Sequence, residues 1–343
     1  MKKIIYIFAI IAFTLTSCEK NEVEKSVNSD EMKFAGLKVN LPANYNESIL
    51  SLSLSDLQNQ FYTNNTGSIM KAKSSVESGI TLDEMNQIID GILIKYPRVD
   101  SLTTDEIEKI NVNFPDLSID EIVDNINVID SFYTSLARYD LVQTLTKVEP
   151  KSNIKTFKVS SSSNGYFRYD LNSSEFWYFV WHPTFAKPIK KATEKASELT
   201  NSNFPQINAY QNKADAFRHT IWNVLICKYI GEDNNKISDC TNVANDFTTK
   251  HETGAIKPSN MTDTDWERDK QMDLHNNEQG RNYFVSVAWI RNHKTWFYTL
   301  KRVAAPSEDE IATGIKNKLN SAKKMSTAND ANNYPSNIVY IID

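Results

Sequence analysis

Apolar residues recur at helical spacing through much of this chain. Ile88, Ile92 and Tyr96, then Ile122, Ile126 and Ile129, form stripes that predict amphipathic helices between about residues 46 and 148. Three helix starts are written into the same region. Thr81–Glu84 (TLDE), Thr103–Glu106 (TTDE) and Ser118–Glu121 (SIDE) match the capping box, in which a hydroxyl and an acid three residues later satisfy exposed backbone donors. Pro97 and Pro115 stand between these helices, so the segment reads as short capped helices with no gathering of histidine, cysteine or converging acids.

Residues 149–165 are Ser-rich and predict a linker, with a short strand at 154–159. Beyond Gly165 the pattern becomes aromatic and longer in period, and all five histidines lie there. SSEFWYFVW predicts a short aromatic helix broken at His182-Pro183, followed by an amphipathic helix to Leu199. A longer helix is expected from Ile207 to Tyr229, stopped by Gly231, and another from Ser238 to just before Gly254. A further helix is expected through Arg281 to Trp296, and Ser307–Glu310 (SEDE) caps the last one. The tail SNIVYIID has strand character. The fold expected is all-α with minor β at most: an N-terminal short-helix domain, then a C-terminal multi-helix domain.

The first residues change the picture of where this protein resides. MKKIIYIFAIIAFTLTSC sets two lysines before a short apolar run, the layout of a secretory signal and too short for a comfortable membrane span. Leu15-Thr16-Ser17-Cys18 looks like a bacterial lipobox. That resemblance implies cleavage before Cys18, acylation of Cys18 and a lipid bilayer as partner, with the protein in the cell envelope facing periplasm or surface. The organisation expected is a signal peptide at 1–17, a polar tether at 18–45, a helical spacer or interaction domain at 46–148, the linker at 149–165, a helical domain at 166–325 and a tail at 326–343.

Composition mainly excludes. A net charge of −5 argues against general nucleic-acid binding, and 9 glycines in 343 residues leave no Gly-rich phosphate loop or nucleophile elbow. Once Cys18 is acylated, Cys227 and Cys240 remain in an oxidising compartment, flanking a short connection. A disulfide is expected there, stabilising by roughly 3 kcal/mol in the chain-entropy picture.

The chemistry concentrates in three clusters. In KADAFRHTIWN, Asp215, His219 and Asn223 fall at i, i+4 and i+8 on one helix face, with Arg218 and Trp222 beside them. TTKHETG carries His251 and Glu252; MDLHNNEQGR carries Asp273, His275, Asn276, Asn277 and Arg281. If the last stretch is helical, Asp273, Asn277 and Arg281 form their own strip and His275 points away; if extended, Asp273 and His275 face together.

Together these motifs resemble an uncharacterised family of all-helical domains in secreted and envelope proteins of bacteria, with the pattern AFRHxxWN, then HE, then MDLHNNxxGR. The resemblance covers the last half of the chain, departs at Glu278-Gln279, and implies a fold and a site but no reaction. Imidazoles with acid neighbours suit Zn²⁺ or another divalent metal, although no HExxH pattern is present. The ligands to test are His219, His251, His275 and Asp273. Glu252 is then the candidate general base, Asp215 a ligand or orienter, and Arg218 or Arg281 the grip on an anionic substrate group. Trp222, Asn223, Asn276 and Asn277 would support them. Three readings stay open: a metal-assisted hydrolase, a metal-free acid–base enzyme, and a non-catalytic module whose polar residues form a buried network or bind an envelope ligand or protein partner.

Overall fold

The computed structural model describes residues 32–64, 79–99, 102–147, 169–294 and 299–342. The leader, Cys18, the first part of the tether and the 149–165 segment lie outside the described residues. Among the described residues the fold is all-α with only two-stranded pairings, as the sequence predicts.

The first half opens with a two-residue antiparallel pair, β1 (Lys33–Phe34) and β2 (Leu37–Lys38), and a 3₁₀ turn at Glu47–Ser51. Helices α1 (Leu54–Asn64), α2 (Leu82–Leu93), α3 (Thr104–Asn113), α4 (Ile119–Asp124) and α5 (Ile126–Leu145) follow. Thr81, Thr103 and Ser118 each close the expected capping box. α5 joins two cores. Its first half, through Phe132 and Leu136, packs with Phe34, Ile110 and Phe114. Its second half, through Leu141 and Leu145, enters the core that also holds Phe61, Ile89, Phe176 and Phe217. The N-terminal helices therefore share apolar burial, the main favourable term in folding, with the C-terminal ones.

The second half begins with α6 (Ser173–Trp181), a 3₁₀ turn at Pro183–Phe185 that makes the predicted break, and α7 (Ala186–Asn203). Then come α8 (Lys213–Gly231), α9 (Ile237–Gly254) and α10 (Asp263–Val287). A hairpin of β3 (Trp289–Lys294) and β4 (Thr299–Ala304) leads to α11 (Glu308–Leu319), whose cap is the expected Ser307 box. β5 (Lys323–Lys324), a single helical turn α12 (Asp330–Asn333) and β6 (Val339–Tyr340) complete the chain. α8 is the central helix, with α7, α9, α10 and α11 packed around it. β6 pairs in parallel with β5, and Ile341 and Ile342 donate backbone N–H to the Gln211 carbonyl, so the tail lies across the helical domain.

Three expectations are corrected. α8 starts at Lys213, not Ile207. Gln206 and Gln211 take positive φ (67° and 57°), which a helix cannot continue through, and Asn212 caps the helix by accepting from the Ala214 and Asp215 amides. The helix expected to reach Trp296 ends at Val287, and the chain turns into the β3–β4 hairpin. Val303 of β4 anchors that hairpin against α8 at Gly231, where an added Cβ would sit 2.9 Å from the Val303 Cβ. Finally, Cys227 and Cys240 are free, buried thiols. The Cys240 thiol is turned back onto the Lys236 carbonyl of its own helix (3.3 Å). Burial pushes the Cys240 thiol up to about 12.

Candidate functional site

Four segments converge on one buried polar centre. α8 supplies Asp215, Arg218 and His219, the last turn of α9 supplies His251 and Glu252, and α10 supplies Asp269, Asp273 and Asn277. Glu175 comes from the first turn of α6, and Tyr169 from the segment just before that helix. α8 and α10 can approach this closely because residue 280 is glycine: a Cβ there would collide with the Thr220 carbonyl and crowd the Asn223 Cβ.

His219 is the hub, and its side chain is 2 % exposed. Its Nε2 lies 3.3 Å from Asp273 Oδ1 and 3.6 Å from Asp215 Oδ1, and its Nδ1 lies 3.4 Å from Glu252 Oε1. An Nη of Arg218 stands 2.8 Å from Nε2 and 2.5 Å from Asp215 Oδ1. A guanidinium only donates, so Nε2 holds its lone pair and the ring proton sits on Nδ1, facing Glu252. The tautomer is thus set with the proton-free nitrogen among carboxylates. Asp215, His219 and Asp273 offer ligand atoms within 4.8 Å of one another, a group able to hold a metal ion. His219 Nδ1 and the Oδ1 atoms of Asp269 and Asp273 are buried without a hydrogen-bond partner.

The acids outnumber their counter-charges. Burial and the nearby Glu252, Asp215 and Asp269 hold the Asp273 carboxyl well above the usual range. Burial, with Asp215 and Glu252 adding to it, pushes Asp269 up to about 6. For Glu252 burial acts in the same direction, yet His251 and His219 outweigh it and pull the group down to about 2. Glu252 also accepts from Asn277 Nδ2 (3.0 Å). A carboxylate so strongly held in its ionised form is a poor proton acceptor, so its position suits orienting His219 better than the general-base role expected from sequence.

His251 belongs to a second arrangement beside the first. Its Nδ1 lies 2.8 Å from Glu175 Oε1 and 2.6 Å from the Tyr169 hydroxyl, which itself donates to Glu175. Burial opposes a charge on His251, but Glu175 and Glu252 outweigh it and raise its pKa. The Trp222 ring stands edge-on to both imidazoles, 5.2 Å from His251 and 6.3 Å from His219, with its Nε1 donating to Thr193 (2.9 Å). Asn172 holds this corner together. It caps α6 in a box with Glu175 and donates to the Lys250 and His251 carbonyls at the end of α9 (both 3.3 Å). Glu175 therefore serves the cap with Oε2 and His251 with Oε1.

The remaining motif residues brace the helices. Arg281 donates to Asn223 Oδ1 (2.9 Å), and Asn223 donates to Asn277 Oδ1 (2.7 Å), which locks α8 to α10 behind the centre. His275 lies on the other side of α10, where its Nε2 bonds the Asn337 carbonyl (2.8 Å). Asn276 mimics a strand partner, donating to Val339 O (2.9 Å) and accepting from Val339 N (3.0 Å). The buried Gln279 holds the Pro335 carbonyl (3.1 Å). So the stretch is helical, Asp273 faces the site, and His275 and Arg281 do not. The three histidines expected as a shared ligand set are divided among three settings.

Sequence reading missed Tyr169, Glu175, Asp269 and Gln211, whose backbone N–H donates to Asp215 Oδ2 (2.6 Å). The N-S-S-E spacing of Asn172–Glu175 is a cap signature that could have found Glu175, and Asp269 lies one helical turn before Asp273.

Fold and site together define an all-helical domain with a buried acid–histidine centre. Residues 176–323 match a family model described as a domain of unknown function (DUF6973). The match contains Asp215, His219, Glu252 and Asp273 and begins one residue after Glu175. No curated protein matches the chain. A solved structure titled "Human WLS in complex with WNT8A" is similar over 48 % of this chain and 68 % of that one, at 12 % identity and a TM-score of 0.32.

Proposed function

We propose that the helical domain is a divalent-metal-dependent hydrolase-like module, carried on a lipid-anchored cell-envelope protein. The observation that carries this reading is the convergence of Asp215, His219 and Asp273. One imidazole nitrogen, free of its proton, and two carboxylates suit Zn²⁺ or a similar first-row cation, and three protein ligands leave positions for water and substrate. Glu252 fits the role of the carboxylate that fixes a ligating histidine through its other nitrogen. The excess of buried acid points the same way, because a bound cation relieves the repulsion among Asp273, Glu252, Asp215 and Asp269 that raises the Asp273 pKa.

His251 suits proton transfer in such a site. Its Nδ1 is engaged by Glu175 and Tyr169, its ring is partly exposed, and its raised pKa favours the proton-carrying form. Arg218, with 34 % of its side chain exposed, stands at the outer edge of the centre. The envelope location rests on the leader and the Leu15–Cys18 lipobox.

Metal analysis of the purified protein tests the reading. One equivalent of divalent metal is expected, lost in Asp273→Asn and His219→Ala and retained in His275→Ala. Folded protein that takes up no metal when dialysed against Zn²⁺ or Mn²⁺, with Arg218 present or replaced, overturns it.

A further inference from the structure

The atoms best placed to bind the metal are already engaged by a cation. The Arg218 Nη that lies 2.8 Å from His219 Nε2 also lies 2.5 Å from Asp215 Oδ1. These two acceptors are the ones that face Asp273 Oδ1 across the centre. A metal ion sits about 2.1 Å from an imidazole nitrogen. An N–H donor and a metal cannot share one lone pair, and two positive charges at that separation repel strongly in a site this dry.

We propose, on the basis of the metal-site reading above, that the Arg218 guanidinium and the divalent metal are alternative occupants of one position. Metal loading expels the Arg218 side chain toward solvent. Arg218 thereby sets how tightly the site holds its metal. Three features of the structure support the exchange. The guanidinium neutralises Asp215 without reaching the buried, unpartnered Oδ1 of Asp273, so it fills the position incompletely. Its hydrogen bonds go to two acceptors on its own helix, Asp215 and His219, and α9 and α10 add only the charges of Glu252 and Asp273. Its side chain is also the most exposed of the set, at 34 % against 4 % for Asp215, 2 % for His219 and 13 % for Asp273, so it already meets solvent. Asp215 is held from behind by the Gln211 amide, and Glu252 faces His219 Nδ1 at 3.4 Å. The ligands therefore stay in place when the arginine leaves.

The test is calorimetric titration of Zn²⁺ and of Mn²⁺ into the purified metal-free protein, its Arg218→Ala and Arg218→Gln variants, and Asp273→Asn. Both arginine variants should bind metal roughly tenfold or more tightly than the parent, the size of effect seen when a residue beside a metal site is changed. Millimolar guanidinium ion should weaken binding to Arg218→Ala back toward the parent value, while urea at the same concentration should not. In the unaltered protein, modification of Arg218 by an arginine-directed dicarbonyl, mapped by mass spectrometry, should accelerate when metal is present; this readout needs no variant to fold. Equal or weaker metal binding by folded Arg218 variants, or Arg218 modification unchanged by metal, overturns the exchange while leaving the metal site standing. Absence of metal binding in the parent and the arginine variants alike overturns the metal site itself, and the exchange falls with it.

Discussion

Glu175 Oε1 lies 2.8 Å from His251 Nδ1, tying the first turn of α6 to the last turn of α9. The same carboxylate closes the capping box with Asn172. One side chain thus starts a helix, links two helices and fixes an imidazole beside the Asp215–His219–Asp273 centre. Such a carboxylate cannot be altered without consequence at each level, but the levels can be separated by measurement.

Glu175→Gln retains hydrogen-bonding capacity at the cap and removes the charge that faces His251. Burial lowers the His251 pKa while Glu175 and Glu252 raise it, so loss of one acid should move it down. Histidine resonances followed by NMR across pH should show His251 titrating at lower pH in the variant. An unchanged titration would mean that Glu252 alone supports the imidazolium.

Asp269 offers a pH test of the crowded acids. Its folded pKa, about 6, lies above its unfolded value near 3.8, so the folded state binds more protons between those limits. Stability from this group is therefore present below about pH 4 and is lost as pH rises through 6. Asp269→Asn removes the loss. Its stability relative to the parent should be near zero at pH 4 and grow up to pH 6 and above, by on the order of 3 kcal/mol at most. Urea denaturation of both proteins at pH 4, 5, 6 and 7 measures it, and a difference independent of pH would contradict the electrostatic account.

Much of the frame that positions these groups was legible. The i, i+4 relation of Asp215 and His219 and the helical strip through Asp273, Asn277 and Arg281 follow from period alone, as do the caps at Thr81, Thr103, Ser118 and Ser307. What period cannot give is which strip faces which. His275 and Asp273 are two residues apart on α10, and it is the packing of α10 between α8 on one side and β6 on the other that turns Asp273 inward. Glu175 escaped notice because it comes from a helix with no other chemistry on it. The β3–β4 pairing was not legible because WIRNHK does not alternate apolar and polar residues, and its hold on the domain is Val303 against Gly231, a contact between distant parts of the chain.

Gly280→Ala should be costly out of proportion to one methyl group. The added Cβ meets the Thr220 carbonyl and Asn223 Cβ of α8, and backbone cannot rotate aside as a side-chain tip would. Relief requires α10 to move away, which strains the Asn223–Asn277 and Asn223–Arg281 bonds. A loss of about 1–3 kcal/mol is expected from overpacking, partly offset by the better helix propensity of alanine. Equilibrium denaturation checks it; a stabilised variant would show that the two helices have room to part.

His275→Ala separates the fold from the centre most cleanly. In the sequence His275 stands beside Asp273 in the motif and invites assignment as a ligand. In the structure its Nε2 bonds the Asn337 carbonyl, on the strand-bearing tail that Asn276 and Gln279 also hold. Removing the imidazole leaves one backbone carbonyl of the tail without its partner, a loss of about 1 kcal/mol for a partly buried hydrogen bond. The tail in turn steadies Gln211, whose carbonyl accepts from Ile341 and Ile342 and whose N–H donates to Asp215. The variant should therefore melt a few degrees lower, with faster amide exchange confined to residues 336–342 and metal affinity within about twofold of the parent, well under the tenfold that 1.4 kcal/mol would bring. His219→Ala should do the reverse, abolishing metal binding. A His275→Ala protein that loses metal outright would return His275 to the ligand set and require α10 to turn about its axis on loading.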